Sequence, residues 1–205
     1  MEQSYHTIAD IQSGYDQWAA SYDQVLVGGW RYRAPLEVAS QLGPLLAPGL
    51  KMIDLACGTG LNTEQYPALE VIGVDFADGM LREYGKKGFA GQKADIRSLP
   101  FQDDSFDVAL CVAALENYAD PSPIIAEMKR IVKDQGLLAF TVCLSPMDGC
   151  HQTSEKEIDR MLESLALRKQ SSFEFVSHYE YANEERPIIY LGVICLNTKG
   201  AALHC

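Results

Sequence analysis

No apolar run in this 205-residue chain approaches the ~18 residues that a membrane-spanning helix needs. The opening Met-Glu-Gln-Ser-Tyr-His is polar and acidic, with no apolar stretch behind a basic one, so no targeting segment is expected and the location expected is cytoplasmic. Positive charge is also scarce: 17 lysines and arginines stand against 28 aspartates and glutamates, a formal net charge of −11. Lys86-Lys87 and Lys129-Arg130 are isolated pairs, so a protein built to grip nucleic acid or an anionic membrane is not expected. None of the six cysteines forms a C-x-x-C pair, and four lie within or at the end of apolar runs, which reads as buried reduced thiols rather than a disulfide framework. Cys150-His151 lacks a partner pair at a suitable spacing, so no metal site is expected. Internal repeats and low-complexity stretches are missing too.

What is present is an ordinary globular composition, 47% hydrophobic and 22% charged, which excludes wholesale disorder. Short apolar runs alternate with helical patterns. The runs Lys51–Cys57, Val71–Phe76, Gln92–Asp95, Phe106–Ala114 and Leu137–Cys143 predict five strands. A short helix stopped by Pro67 is expected after the first, and another from Asp78 after the second. Between the last two strands, apolar residues at 124, 125, 128, 131 and 132 form the stripe of an amphipathic helix. Unbroken apolar strands separated by helices imply an α/β fold with a parallel sheet covered on both faces. A helix over about Ser154–Leu167 precedes two further strands, Phe173–Tyr181 and Ile188–Leu196, joined by Asn183-Glu-Glu-Arg-Pro187 as an antiparallel hairpin. Residues 8–46 predict two helices, the second starting near Ala34-Pro35.

Asp54-Leu-Ala-Cys-Gly58-Thr-Gly60 is the most informative segment. A strand-to-helix turn with two glycines lets the backbone approach a ligand at the carboxyl end of a sheet. Asp75, at the end of the second strand, is placed to accept both hydroxyls of a ribose. The bland alternative is a tight turn with helix-capping acids. A nicotinamide site wants G-x-G-x-x-G and a helix aimed at pyrophosphate, but the third position is Thr63. S-adenosylmethionine carries no phosphate and needs no such helix; it asks for an acid in the first strand, which Asp54 supplies.

At these residues the chain resembles the class I S-adenosylmethionine-dependent methyltransferases, from about Tyr15 to Val142. Ile53–Gly60 resembles the family's glycine motif and Val71–Phe76 its acidic second strand. Ala94–Phe101 with Ser105–Val108 resembles the adenine-side motif, and Met128–Leu137 the approach to strand five. Tyr15–Asp23 with Tyr32-Arg-Ala-Pro35 further resembles the Williams–Beuren-region methyltransferase-like proteins. The resemblance implies a Rossmann-like, mostly parallel seven-stranded sheet of order 3-2-1-4-5-7-6, its last strand antiparallel. It implies one domain: an N-terminal helical lid over 1–46, a core over 51–197 and a frayed tail over 198–205.

Carried over residue by residue, the resemblance implies S-adenosylmethionine as cofactor, S-adenosylhomocysteine as product and no metal. The backbone of Ala56, Cys57, Gly58, Thr59 and Gly60 would meet the methionine and ribose, with Asp54 in the same motif. Asp75 would bind the ribose, Phe76 and Met80 the adenine face, Asp95 its amino group, with Ile96 alongside. Val112 and Ala113 would lie below the sulfonium. Tyr15, Trp18 and Tyr22 fall on the lid, where a plain aromatic core stripe is an equal reading. Arg33 is a candidate partner for the methionine carboxylate, a solvated arginine being the default. The first motif glycine is Ala56, and Leu115-Glu-Asn-Tyr118 stands where related enzymes often carry a histidine, which leaves the general base open. Tyr22, Glu116, Asn117 and His151 are the catalytic candidates; Tyr118, Met147, Cys150, His178, Tyr179 and Tyr181 are candidates for the acceptor side. With no separate substrate domain, the expected reaction is methyl transfer to a small molecule. A non-catalytic module that binds S-adenosylmethionine is the alternative.

Overall fold

The computed structural model describes residues 7–29, 32–145, 151–181 and 184–199, without the side chains of 178–181 and 184–186. Seven strands form one sheet in the order β3-β2-β1-β4-β5-β7-β6. The strands are β1 (Lys51–Leu55), β2 (Glu70–Asp75), β3 (Ala90–Lys93), β4 (Phe106–Cys111), β5 (Val132–Cys143), β6 (Leu167–Tyr181) and β7 (Glu184–Asn197). The first five pair in parallel, while β7 runs antiparallel to both β5 and β6, as expected. Among the described residues, five α-helices surround them: α1 (Ile8–Trp18), α2 (Ala34–Leu42), α3 (Asp78–Lys86), α4 (Ser122–Ile131) and α5 (Glu155–Ser164).

Period-two alternation divides each central strand between two cores. In β4, Ala109 and Cys111 join one core with Ile124, Ile125 and Met128 of α4 and Ile158 of α5. Val108 and Leu110 join the other, with Val38 and Leu42 of α2. Burial on both faces is why the strands read as continuous apolar runs.

Several boundaries differ from expectation. Only a 3-10 turn, Thr63–Gln65, forms where a short helix was expected. Six residues separate Gly60 from Pro67, too few to offset helix nucleation, and the pre-proline Tyr66 leaves helical geometry at φ −124°, ψ 54°. β3 lies two residues earlier than predicted, and β4 ends at Cys111 because Ala113 adopts φ +53°. β5 begins at Val132, directly after α4, and the hairpin strands are longer than their apolar runs, with 184–187 inside β7. The helix expected to reach Leu167 ends at Ser164; Ser154 and Glu157 cap its start reciprocally. Thr198 and Lys199 are not frayed: Thr198 Oγ1 donates to the Ala166 carbonyl (3.1 Å), and the Lys199 amide donates to Asp134 (2.7 Å). The rest of the expected tail lies outside the described residues. Cys57, Cys111, Cys143 and Cys195 are buried free thiols; Cys150 and Cys205 lie outside the described residues.

Candidate cofactor and acceptor site

The carboxyl ends of β1, β2 and β4 open into one cavity under α1. Between β1 and the following turn the backbone enters left-handed geometry three times, at Ala56 (φ +52°), Gly58 (+53°) and Gly60 (+95°). An L-residue there is uncommon, so Ala56 stores strain in this turn. Asp75 fastens the turn to β2: one oxygen accepts the Gly58 N–H and the other the Ala77 N–H, both at 2.9 Å. At 4% exposure, burial raises its pKa while those amide bonds oppose the rise.

Asp54 lies beneath the turn and does not line the cavity. One oxygen accepts from Thr63 Oγ1 (2.8 Å), which also meets the Tyr84 hydroxyl (2.9 Å). The other has no partner among the described residues, and burial pushes the carboxyl up to about 7. The predicted contact is thus a brace for the turn.

The cavity spans about 670 Å³ of non-atom space, part of it open to solvent. The structure brings together Ala56, Cys57, Gly58 and Thr59 from the turn, and Asp75, Phe76 and Met80 from β2 and α3. Val112, Ala113 and Asn117 close it after β4; Tyr15 and Tyr22 roof it. A second hollow of about 590 Å³ shares Ile8, Phe76 and Tyr118 with the first and adds Asp95 and Ile96, the expected adenine side. Asp95 is held by Arg97 (2.6 Å between Nη2 and Oδ2), whose hydrogen bonds keep that carboxyl below its usual range.

Other expected residues fall elsewhere. Gly60 turns the chain without lining the cavity. Trp18 packs edge-on against Tyr22, with ring centres 4.7 Å apart. Arg33 pairs with Glu37 at 2.8 Å, with its side chain 54% exposed, because the two stand four residues apart at the start of α2. Glu116 sits behind the wall on the 3-10 turn Leu115–Asn117: Tyr190 donates its hydroxyl to Oε1 (3.1 Å) and Oε2 has no partner among the described residues. Burial pushes this carboxyl up to about 7. The His151 amide donates to the Glu116 carbonyl (2.7 Å), but its imidazole does not line the cavity. Met147 and Cys150 lie outside the described residues, as do the side chains of His178, Tyr179 and Tyr181.

A family described as Methyltransferase domain matches residues 53–140. A demethylmenaquinone methyltransferase from Renibacterium salmoninarum is 33% identical over 175 residues, covering 80% of this chain and 71% of that protein. The chain belongs to the class I S-adenosylmethionine-dependent methyltransferases. A demethylmenaquinone methyltransferase from Staphylococcus aureus is also 33% identical, over 156 residues, 70% of this chain and 60% of the relative. Among solved structures, the cyclase SpnF aligns at TM-score 0.75 and 16% identity, covering 96% of this chain and 98% of that one. A Bacillus halodurans protein described as a putative methyltransferase aligns at 0.69 and 13%, covering 80% and 99%. These two likenesses are of fold.

The methyltransferase cavity also uses Ile8, Ile11, Tyr32, Leu61, Asn62 and Ala114, which sequence reasoning passed over. Ile8, Ile11, Tyr15, Trp18 and Tyr22 repeat at spacings of 3 and 4, so the stripe was visible, but α1 has no buried residue. It roofs the cavity, while Tyr15 and Tyr22 also pack against the small buried cluster of Ala19, Ala77 and Met80. Asn62 had no such signal; it is 7% exposed and its side-chain oxygen has no partner among the described residues.

Proposed function

We propose that this methyltransferase transfers a methyl group from S-adenosylmethionine to a small, uncharged, ring-bearing acceptor by in-line displacement. The observation that carries the reading is Asp75, buried at the cavity edge and bonded to the glycine turn, with the Asp95 hollow adjoining. The residues present fit the cofactor. Asp75 retains lone pairs for ribose hydroxyls beyond its two amide bonds, and the orphan Asn62 oxygen offers an acceptor for the methionine ammonium. Phe76, Ile96 and Met80 supply apolar surface to an adenine, and Asp95 an acceptor for its amino group.

When bound, S-adenosylmethionine supplies a methyl group activated on a sulfonium sulfur. The chain's own contribution is alignment and exclusion of water, and orientation alone supplies roughly 7–11 kcal/mol of barrier reduction. Ile8, Ile11, Tyr15 and Tyr22 shield the reacting end from above. Val112 and Ala113 form its floor. Among the described residues lining the main cavity there is no lysine, arginine or histidine, which suits a cationic sulfonium better than an anionic acceptor. Glu116 lies behind Ala114 and Asn117 and does not line the cavity, so it is not placed to take a proton from the acceptor directly. The aromatic and aliphatic wall suits a flat ring, and the curated relatives quoted above carry the name demethylmenaquinone methyltransferase.

Thermal shift with S-adenosylhomocysteine and NAD tests the cofactor. A hundredfold excess over Kd stabilises by about 2.7 kcal/mol, or roughly 5–10 °C here. A response to NAD alone would sink the reading. Labelled methyl transfer to 1,4-naphthohydroquinone, with 1-naphthoate as the anionic control, tests the acceptor class. Preference for the naphthoate would overturn it.

A further inference from the structure

Residues 8–29 cross the cavity, yet only Ala19 and Leu26 of this segment are buried. Two of its carboxylates attach it to the elements around the cavity. Asp16 Oδ1 accepts the Gly79 N–H at the start of α3 (2.5 Å), where a Cβ on Gly79 would stand 2.7 Å from the Asp16 carbonyl. The second attachment is Asp23. One of its oxygens accepts from the Thr59 hydroxyl of the glycine turn; the other faces Lys87 Nζ at 2.6 Å, just beyond α3. Lys87 also faces Glu64, in the turn that follows the glycines, at 2.7 Å. Burial alone would lower the Lys87 ammonium, but the two carboxylates outweigh it and raise it. Asp23 therefore joins three elements at one point: the lid, the turn that lines the cavity, and the end of α3. Tyr22, its neighbour in sequence, roofs the cavity.

We propose that Asp23 is a positioning residue that latches the lid to Thr59 and Lys87, and that release of this latch governs exchange of the cofactor and its product. The ligand used to test this rests on the methyltransferase reading; the latch itself rests on the contacts above. Asp23 touches no reacting atom. It acts by holding Thr59 and Tyr22 in place, so its removal speeds exchange more than it disturbs the fold.

The experiment measures dissociation of S-adenosylhomocysteine by chase, from the wild type, Asp23→Asn, Lys87→Ala and the double variant. Asparagine still accepts from Thr59 but cannot pair with the ammonium. Each single change is expected to raise the dissociation rate about tenfold, as loss of a charge-assisted contact would. The double variant should be no faster than Lys87→Ala alone, since that change already removes the pair with Asp23. Added salt should accelerate the wild type and leave the variants nearly unmoved. Hydrogen exchange of amides 8–22 in the ligand-free protein should rise in the same variants. Lys86→Ala, which removes only the exposed pair with Glu83, should change none of these. Wild-type dissociation and exchange in the variants, or additive effects in the double, would overturn the latch. If the wild type bound no S-adenosylhomocysteine, the methyltransferase reading would fall, and the hydrogen-exchange arm would still decide the latch.

Discussion

The lid and the glycine turn face each other across one cavity, but they are built by opposite means. The turn is set into the sheet: Asp54 and Asp75 are buried, the Gly58 amide is bonded to Asp75, and Asp54 braces the turn from below through Thr63. The lid buries little, and two carboxylates, Asp16 and Asp23, are among the groups that attach it. Preorganised groups set how tightly a ligand is held, whereas a polar strap sets how fast it comes and goes. Changes on the turn side should therefore appear in affinity, and changes on the lid side in rates.

The sharpest way to break that contrast is Asp75→Ala. It removes the acceptor of the Gly58 and Ala77 amides as well as the proposed ribose partner. S-adenosylhomocysteine affinity should fall at least about a hundredfold, the cost of two charge-assisted hydrogen bonds. Calorimetry showing unchanged affinity would remove Asp75 from the site. Asp75→Asn keeps the shape and should fall in between.

A smaller effect follows from the buried acids of the turn side and the wall. Asp54 and Glu116 have folded pKa values pushed up to about 7 by burial, above their unfolded values of 3.8 and 4.5. The native state therefore holds more protons than the unfolded chain between about pH 4 and 7, and stability falls as pH rises through that window. Across pH 5.5 to 7, one such group contributes about 2 kcal/mol of this loss. Asp54→Asn or Glu116→Gln should flatten the pH dependence of the melting temperature there. Below about pH 4 the sign reverses, because Asp95, Asp107 and Glu127, all held low, must then be protonated. A melting temperature rising from pH 5.5 to 7 would contradict these burials.

The same contrast explains how much was legible in advance. The strands and the glycine turn could be read because burial on both faces and close backbone approach leave marks in residue type, whereas the strand order came only from the family resemblance. The double role of Asp75 could not, since a side chain that accepts backbone amides looks the same in sequence as one that faces solvent. The lid stripe was visible as a period but not in its meaning: Ile8 and Ile11 would look identical packed against a core. Asn62 left no trace. Its significance lies in an oxygen that is buried without a partner, a property of the fold alone. Asn62→Leu should raise stability by about 1 kcal/mol, by removing that unsatisfied group, while weakening S-adenosylhomocysteine about tenfold. A parallel loss of both would mean that the oxygen serves the fold.

The smallest expected effect falls on the one cation that sequence offered to the cofactor. Arg33 leaves the lid side at the start of α2, half exposed, and its guanidinium is engaged by Glu37 one helical turn on. Exposed pairs of this kind contribute about 0–1 kcal/mol, and i, i+4 pairs about 0.3–0.5. Arg33→Ala should thus change S-adenosylhomocysteine affinity less than about twofold and stability by under about 0.5 kcal/mol. A tenfold loss of affinity with stability unchanged would mean that Arg33 swings from Glu37 to the methionine carboxylate on binding. The lid side would then supply affinity as well as rate, and the division between the two walls of the cavity would fail at that residue.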